Sequence, residues 1–271
     1  MRKIIMISIF SIVICCACQY EYPQQNQSLI NHIDEISKPD FIDWTSAAEG
    51  MRIKQFIDAE QNLITVVKVD ISKYDWALAQ GEQPLTVGQW REALKSKGKA
   101  AVLVINGGYF DENYQSTGYL RVGDLEFGKL STDGKNGYTG MLLIDDAGPS
   151  LRYLPAQNFN AAESIEYGLQ TFPTLVWNGQ NKIEQDSGQT ARRTVLAADE
   201  RGQIYMVISE LYISLHDLAD WLIASELKIH SAINLDGGTS TGLAVETEDL
   251  HYLTNSAPVP NVIYLLPADN Q

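Results

Sequence analysis

Ile233-Asn-Leu-Asp-Gly-Gly-Thr-Ser-Thr241 is an apolar strand that ends abruptly in a carboxylate, two glycines and a run of hydroxyls. A carboxylate fixed at a strand end by glycine turns has the form of an active-site element. The same form occurs earlier, at Ala101-Val-Leu-Val-Ile-Asn-Gly-Gly-Tyr-Phe-Asp111. A helix precedes each. Thr86 and Gln89 form a capping box ahead of Val87, Trp90 and Leu94, with Gly98 as a stop; Ser214 and Asp217 open a second helix with Leu215, Leu218, Ala219, Leu222 and Ile223 at helical spacing. The chain therefore repeats a unit of helix, strand and polar-Gly-Gly turn, and two such ends in one domain predict one shared cleft.

Outward from these units the pattern is mostly strand: 52–57, 63–69, 75–79, 140–144, 174–177 turning at Asn178-Gly179, 194–197 turning at Asp199 to Gly202 into 204–208, and 262–266. Many strands with a few helices between them, without strict alternation, predict an α+β class. The expected architecture is one globular domain over residues 46–271, with mixed β-sheets and a few flanking helices.

The chain has 271 residues and is 45% hydrophobic, enough for a substantial core. Its formal charge of −14 and the lack of any basic stripe argue against nucleic acid as a partner, because phosphate backbones attract basic surfaces. Residues 1–18 read as an export signal, with Arg2 and Lys3 ahead of an apolar run from Ile4 to Ala17 that is short for a membrane span. All three cysteines, Cys15, Cys16 and Cys18, lie in this segment, so no internal disulfide is expected and Cys18 is the candidate lipidation site. Its pattern resembles a bacterial lipoprotein signal, with Cys15 where leucine is usual; simple cleavage and secretion is the alternative. Residues 19–45 are polar, as suits a tether. The expected location is the bacterial cell envelope, periplasmic or outer membrane, held to the membrane through an N-terminal lipid.

Asp236 is the first candidate catalytic carboxylate, with a turn aspartate as its plainer reading. Gly237 and Gly238 permit close substrate approach, and Thr239 and Ser240 add hydroxyls. At the other end, Asn106 can orient a sugar hydroxyl, Gly107 and Gly108 open the turn, and Tyr109 offers an aromatic face for a sugar ring. Asp111 is a weaker candidate there. Arg193 can hold a phosphate or carboxylate with its planar fork, or make an ordinary surface ion pair. Glu210, at the end of its strand, is the second carboxylate that glycoside hydrolysis usually needs, or a cap for the helix after Ser214. The histidines show no metal-ligand spacing. No cofactor is required, although a divalent cation is compatible with Asp236, Asn106 and Glu210.

Asn106-Gly-Gly-Tyr-Phe110, Arg193-Thr194 ahead of a hairpin, and Asn234-Leu-Asp-Gly-Gly238, in this order, resemble the phosphodiester glycosidase family, as does Phe172-Pro-Thr-Leu-Val-Trp-Asn-Gly179. The resemblance runs from about Lys54 to Leu266. It implies hydrolysis of a glycosidic bond in a sugar 1-phosphodiester or surface glycan, and maps the family's characteristic Asp, Asn and Arg to Asp236, Asn106 and Arg193. Thr239 replaces a frequent third glycine, and Val195 and Leu196 replace small residues, so substrate identity does not carry over. Two other classes fit the same residues: a non-catalytic glycan-binding or envelope polysaccharide assembly lipoprotein, and a metal-dependent phosphodiesterase.

Overall fold

Three antiparallel sheets enclose a common core in the computed structural model, which describes residues 41–57, 63–131 and 137–268. The export signal, Cys18 and residues 19–40 of the expected tether lie outside these residues. Phe41, the first described residue, is buried, and its carbonyl accepts from Gln55 N at 2.7 Å.

The largest sheet has eight strands in the order β1 (Thr45–Ala48), β2 (Met51–Ile57), β3 (Leu63–Val69), β14 (Ile204–Ile213), β13 (Ala191–Asp199), β15 (Ile229–Asn234), β11 (Thr174–Trp177) and β12 (Gln180–Asn181). The second runs β7 (Leu125–Phe127), β6 (Leu120–Val122), β10 (Tyr167–Thr171), β8 (Gly140–Asp145) and β9 (Gly148–Tyr153). The third runs β17 (His251–Thr254), β16 (Leu243–Glu246), β5 (Leu103–Asn106), β18 (Val259–Pro267) and β4 (Tyr74–Leu85). Helices α1 (Val87–Ser96) and α2 (Leu215–Ala224) complete the fold.

This corrects the expected class: the described residues are mostly β, not clearly α+β, and every pairing among them is antiparallel. The reason lies in the connections. After each helix the chain enters a strand whose neighbours run the opposite way, β5 between β16 and β18, and β15 between β13 and β11. No parallel crossover pair results.

Both helices form as their caps dictate. Thr86 and Gln89 make the reciprocal capping box of α1, and Ser214 Oγ accepts from Asp217 N at the start of α2. Val87, Trp90 and Leu94 of α1 pack on the third sheet, where Trp90 Nε1 donates to Val259 O at 2.9 Å. Leu218, Ala219 and Leu222 of α2 cover the first sheet opposite the central core.

Burial on two faces fixes β13, β14 and β15. Leu196, Met206, Ile208 and Ile233 face the central core, while Val195, Val207 and Ala232 face α2. Each of the larger side chains contributes roughly 1.5–3 kcal/mol by leaving water, so a residue just past the end of β15 is carried on a rigid support.

Candidate active site

The antiparallel register places the candidate residues. Val195 of β13 pairs with Asn234 of β15, and Leu235 N donates to Thr194 O at 2.8 Å, so continuing the ladder sets Arg193 beside Asp236. Ser209 of β14 pairs with Arg193 from the other side. The two polar-Gly-Gly ends meet as well: Asp236 N donates to Gly107 O at 3.2 Å, and Asn106 Nδ2 donates to Asp236 O at 2.7 Å. Strand ends from two different sheets are thus bonded to each other.

Asn106 is fully buried, and its contacts turn inward. Its Oδ1 accepts from Thr194 Oγ1 at 2.7 Å and from Gly242 N at 3.2 Å, so one amide joins the segments at 194, 236 and 242. This differs from the sugar-orienting role predicted for it: the side chain positions the main chain that carries Asp236. Gly107 and Gly108 are buried for the same kind of reason. A Cβ on Gly107 would stand 2.0 Å from Asn261 Oδ1, and one on Gly108 would stand 2.7 Å from Leu169 Cδ1. Asn261 Oδ1 also accepts from Gly108 N at 2.7 Å.

The second turn is more open. Gly237 lies against Arg192 O, 2.8 Å from an added Cβ, whereas Gly238, at φ +61°, has nothing within 4 Å of that position. Thr239 is exposed and its carbonyl accepts from Ala257 N at 2.7 Å; Ser240 is buried. The Asp236 carboxyl accepts from Gly237 N at 2.9 Å and from the Ser240 side chain. Burial pushes the Asp236 pKa above its usual value, and these two hydrogen bonds offset the rise only in part.

Arg193 is half-buried, with Nε donating to Ile213 O at 3.2 Å and Nη2 to Gln189 O at 3.0 Å. Among the described residues no carboxylate pairs with it. Burial disfavours its charge, and among the described residues the groups that hold this cation are main-chain oxygens. Between Arg193 and Asp236 electrostatically stands Tyr109, whose pKa is raised by burial and by the Asp236 charge and lowered by Arg193.

The ring of Tyr109 is not simply an open wall. Phe172 stacks on it with centroids 4.0 Å apart, and Tyr138 meets Phe172 edge-on at 4.7 Å. Asn234 Nδ2 donates to the Tyr109 hydroxyl at 2.6 Å and to Phe172 O at 3.1 Å. Sequence reading assigned no role to Asn234 or Phe172, although both lie in quoted motifs. The available signal was an amide set between the apolar Ile233 and Leu235, where a buried polar group needs partners.

Glu210 lies one residue past Ser209 on β14, and its Oε1 accepts from Thr254 Oγ1 of β17 at 3.1 Å. Helix α2 is capped by Ser214 instead. Asp111 Oδ1 accepts from Asn113 N and Gln115 N, both at 2.9 Å, and so shapes its own turn. The expected trio for a cation does not assemble as ligands, because the Asn106 oxygen already takes two protein donors. Among the described residues no group of three or more His, Cys, Asp or Glu could hold a metal ion.

A family model described as phosphodiester glycosidase matches residues 99–266, which span both Gly-Gly turns and Arg193. The chain belongs to the phosphodiester glycosidase family. No curated protein sequence matches it. The catalytic domain of zebrafish N-acetylglucosamine-1-phosphodiester alpha-N-acetylglucosaminidase, auto-inhibited by its pro-peptide, is similar in fold: TM-score 0.57 and 15% identity over 86% of this chain and 85% of that one. A hypothetical protein from Synechocystis is similar with TM-score 0.51 and 17% identity over 82% of this chain and 63% of that one. At these identities the likeness is one of fold.

Proposed function

We propose that this chain hydrolyses the glycosidic bond of a sugar 1-phosphodiester or a related anionic glycan. The observation that carries the reading is that one strand end holds both a desolvated carboxyl, Asp236, and a half-buried Arg193 for which no carboxylate partner occurs among the described residues. The raised Asp236 pKa suits a general acid, and a fixed guanidinium suits a phosphate. In the proposed reaction water adds to the anomeric carbon as the bond from that carbon to the bridging oxygen breaks. Asp236 gives its proton to the departing oxygen, and the products are the free sugar and a phosphomonoester. Glu210, held by Thr254, is the candidate base for the water.

Kinetics test the assignment. Asp236→Asn should lower turnover of a sugar 1-phosphodiester by several orders of magnitude with folding intact. Arg193→Lys keeps the charge and loses the fork, so kcat/KM should fall more for phosphodiesters than for neutral glycosides. Tight sugar binding by wild type without turnover on any substrate would instead support the glycan-binding class.

The N-terminal pattern supports an exported protein anchored to the cell envelope through a lipid on Cys18. Among the described residues no helix is long and apolar enough to cross a membrane. Cys18→Ala should release the protein from the membrane fraction; an unacylated mature N-terminus in wild type would contradict the anchor.

A further inference from the structure

The hydrogen atoms around Tyr109 can be assigned one by one. Phe172 O is a carbonyl and can only accept, so the Asn234 atom facing it at 3.1 Å is the amide nitrogen. That nitrogen therefore also faces the Tyr109 hydroxyl, at 2.6 Å, and spends its second hydrogen there. The Tyr109 oxygen is the acceptor in this bond. Its own proton is left over, and among the described residues no acceptor takes it.

The position of this spare donor is as informative as its existence. The stack on Phe172 at 4.0 Å and the bond from Asn234 fix the ring, so the hydroxyl cannot swing to find another partner. Its surroundings include the Asp236 carboxyl and the Arg193 guanidinium, the two groups between which the proposed substrate must sit. Burial raises the phenol pKa, so the group stays protonated and neutral at physiological pH.

We propose that the Tyr109 hydroxyl, rather than its ring face, contacts the substrate, donating its proton to a non-bridging oxygen of the phosphate that Arg193 holds. Asn234 is the positioning residue: by donating to the phenol oxygen it forces the phenol proton outward. A neutral donor next to an arginine adds a hydrogen bond to the anion without adding charge repulsion, and it discriminates against a neutral aglycone that offers no such acceptor. The assignment rests on the reading of Arg193 as the anion site.

Inorganic phosphate separates the two claims, because it probes the anion site without requiring turnover. Calorimetric titration of wild type, Tyr109→Phe, Asn234→Asp and Arg193→Lys is the experiment, with thermal unfolding of each as the control. Losing a hydrogen bond to a charged group predicts a phosphate Kd about 10- to 100-fold weaker in Tyr109→Phe. Asn234→Asp keeps the ring but offers an acceptor to the phenol, so it should weaken phosphate as well; it serves as the deciding variant if Tyr109→Phe is poorly folded. Phosphate bound as tightly as by wild type in folded Tyr109→Phe or Asn234→Asp, but weakly by Arg193→Lys, overturns the role of Tyr109 and leaves the anion site standing. No phosphate binding by wild type at millimolar concentration, or equal binding in all four proteins, overturns the anion site itself and the Tyr109 role with it.

Discussion

Asn106 and Asp236 tie two sheets together: Asn106 Nδ2 donates to Asp236 O at 2.7 Å, while the adjoining Gly107 O accepts from Asp236 N at 3.2 Å. The carboxyl of Asp236 is thereby aimed by a buried amide that contributes nothing to the cleft surface itself. The same amide holds Thr194 and Gly242.

Asn106→Ala should accordingly act on stability as much as on activity. It strands the Thr194 hydroxyl, the Gly242 N–H and the Asp236 carbonyl away from solvent, at a cost of about 2–4 kcal/mol. Urea unfolding should show a lower midpoint with an unchanged slope. A midpoint equal to that of wild type would mean that Asn106 is not the clip described.

The two glycine turns should respond in opposite ways. Gly107→Ala places a methyl 2.0 Å from Asn261 Oδ1 in a buried, bonded position, so soluble yield and unfolding temperature should drop sharply. Gly238→Ala meets no atom and bears only the strain of a positive φ, about 1–2 kcal/mol. Equal tolerance of both would contradict the packing at Gly107.

Asp236 gives a pH dependence with a definite sign. Its folded-state pKa is raised above the ordinary carboxyl value of 3.8, so its contribution is fully present below that value and is lost as pH rises through the folded pKa. Asp236→Asn removes the burial of a charge, and should unfold at a higher temperature than wild type at neutral pH. That advantage should close as pH falls toward 3.8. A variant less stable than wild type at pH 7 would show that the hydrogen bonds to the carboxylate outweigh its desolvation.

What could be read from the chain divides by range. Local signals were sufficient for α1 and α2, whose caps involve residues three apart, and for β3, β8 and β14, with their runs of β-branched and long aliphatic residues. The pair β16–β17 escaped because Leu243–Glu246 and His251–Thr254 mix apolar and polar residues over only four positions each. The order β3-β14-β13-β15 joins residues as far apart in sequence as Ile64 and Ser209 and has no local signature. The site followed the same rule. Two glycine turns and an arginine at a strand start pointed to Asp236 and Arg193, but the inward role of Asn106 depends on Thr194 and Gly242, which only the folded chain brings to it. Asn234 is equally mute in sequence, since its partners Tyr109 and Phe172 lie 125 and 62 residues away.

Hydrolysis of a sugar 1-phosphodiester by wild type and by Asp236→Asn, followed as release of free sugar, tests the central claim most directly. Measurable turnover in wild type with a loss of several orders of magnitude in kcat for a folded Asp236→Asn is the predicted result. Full activity in Asp236→Asn would remove this residue from the chemistry and contradict the account.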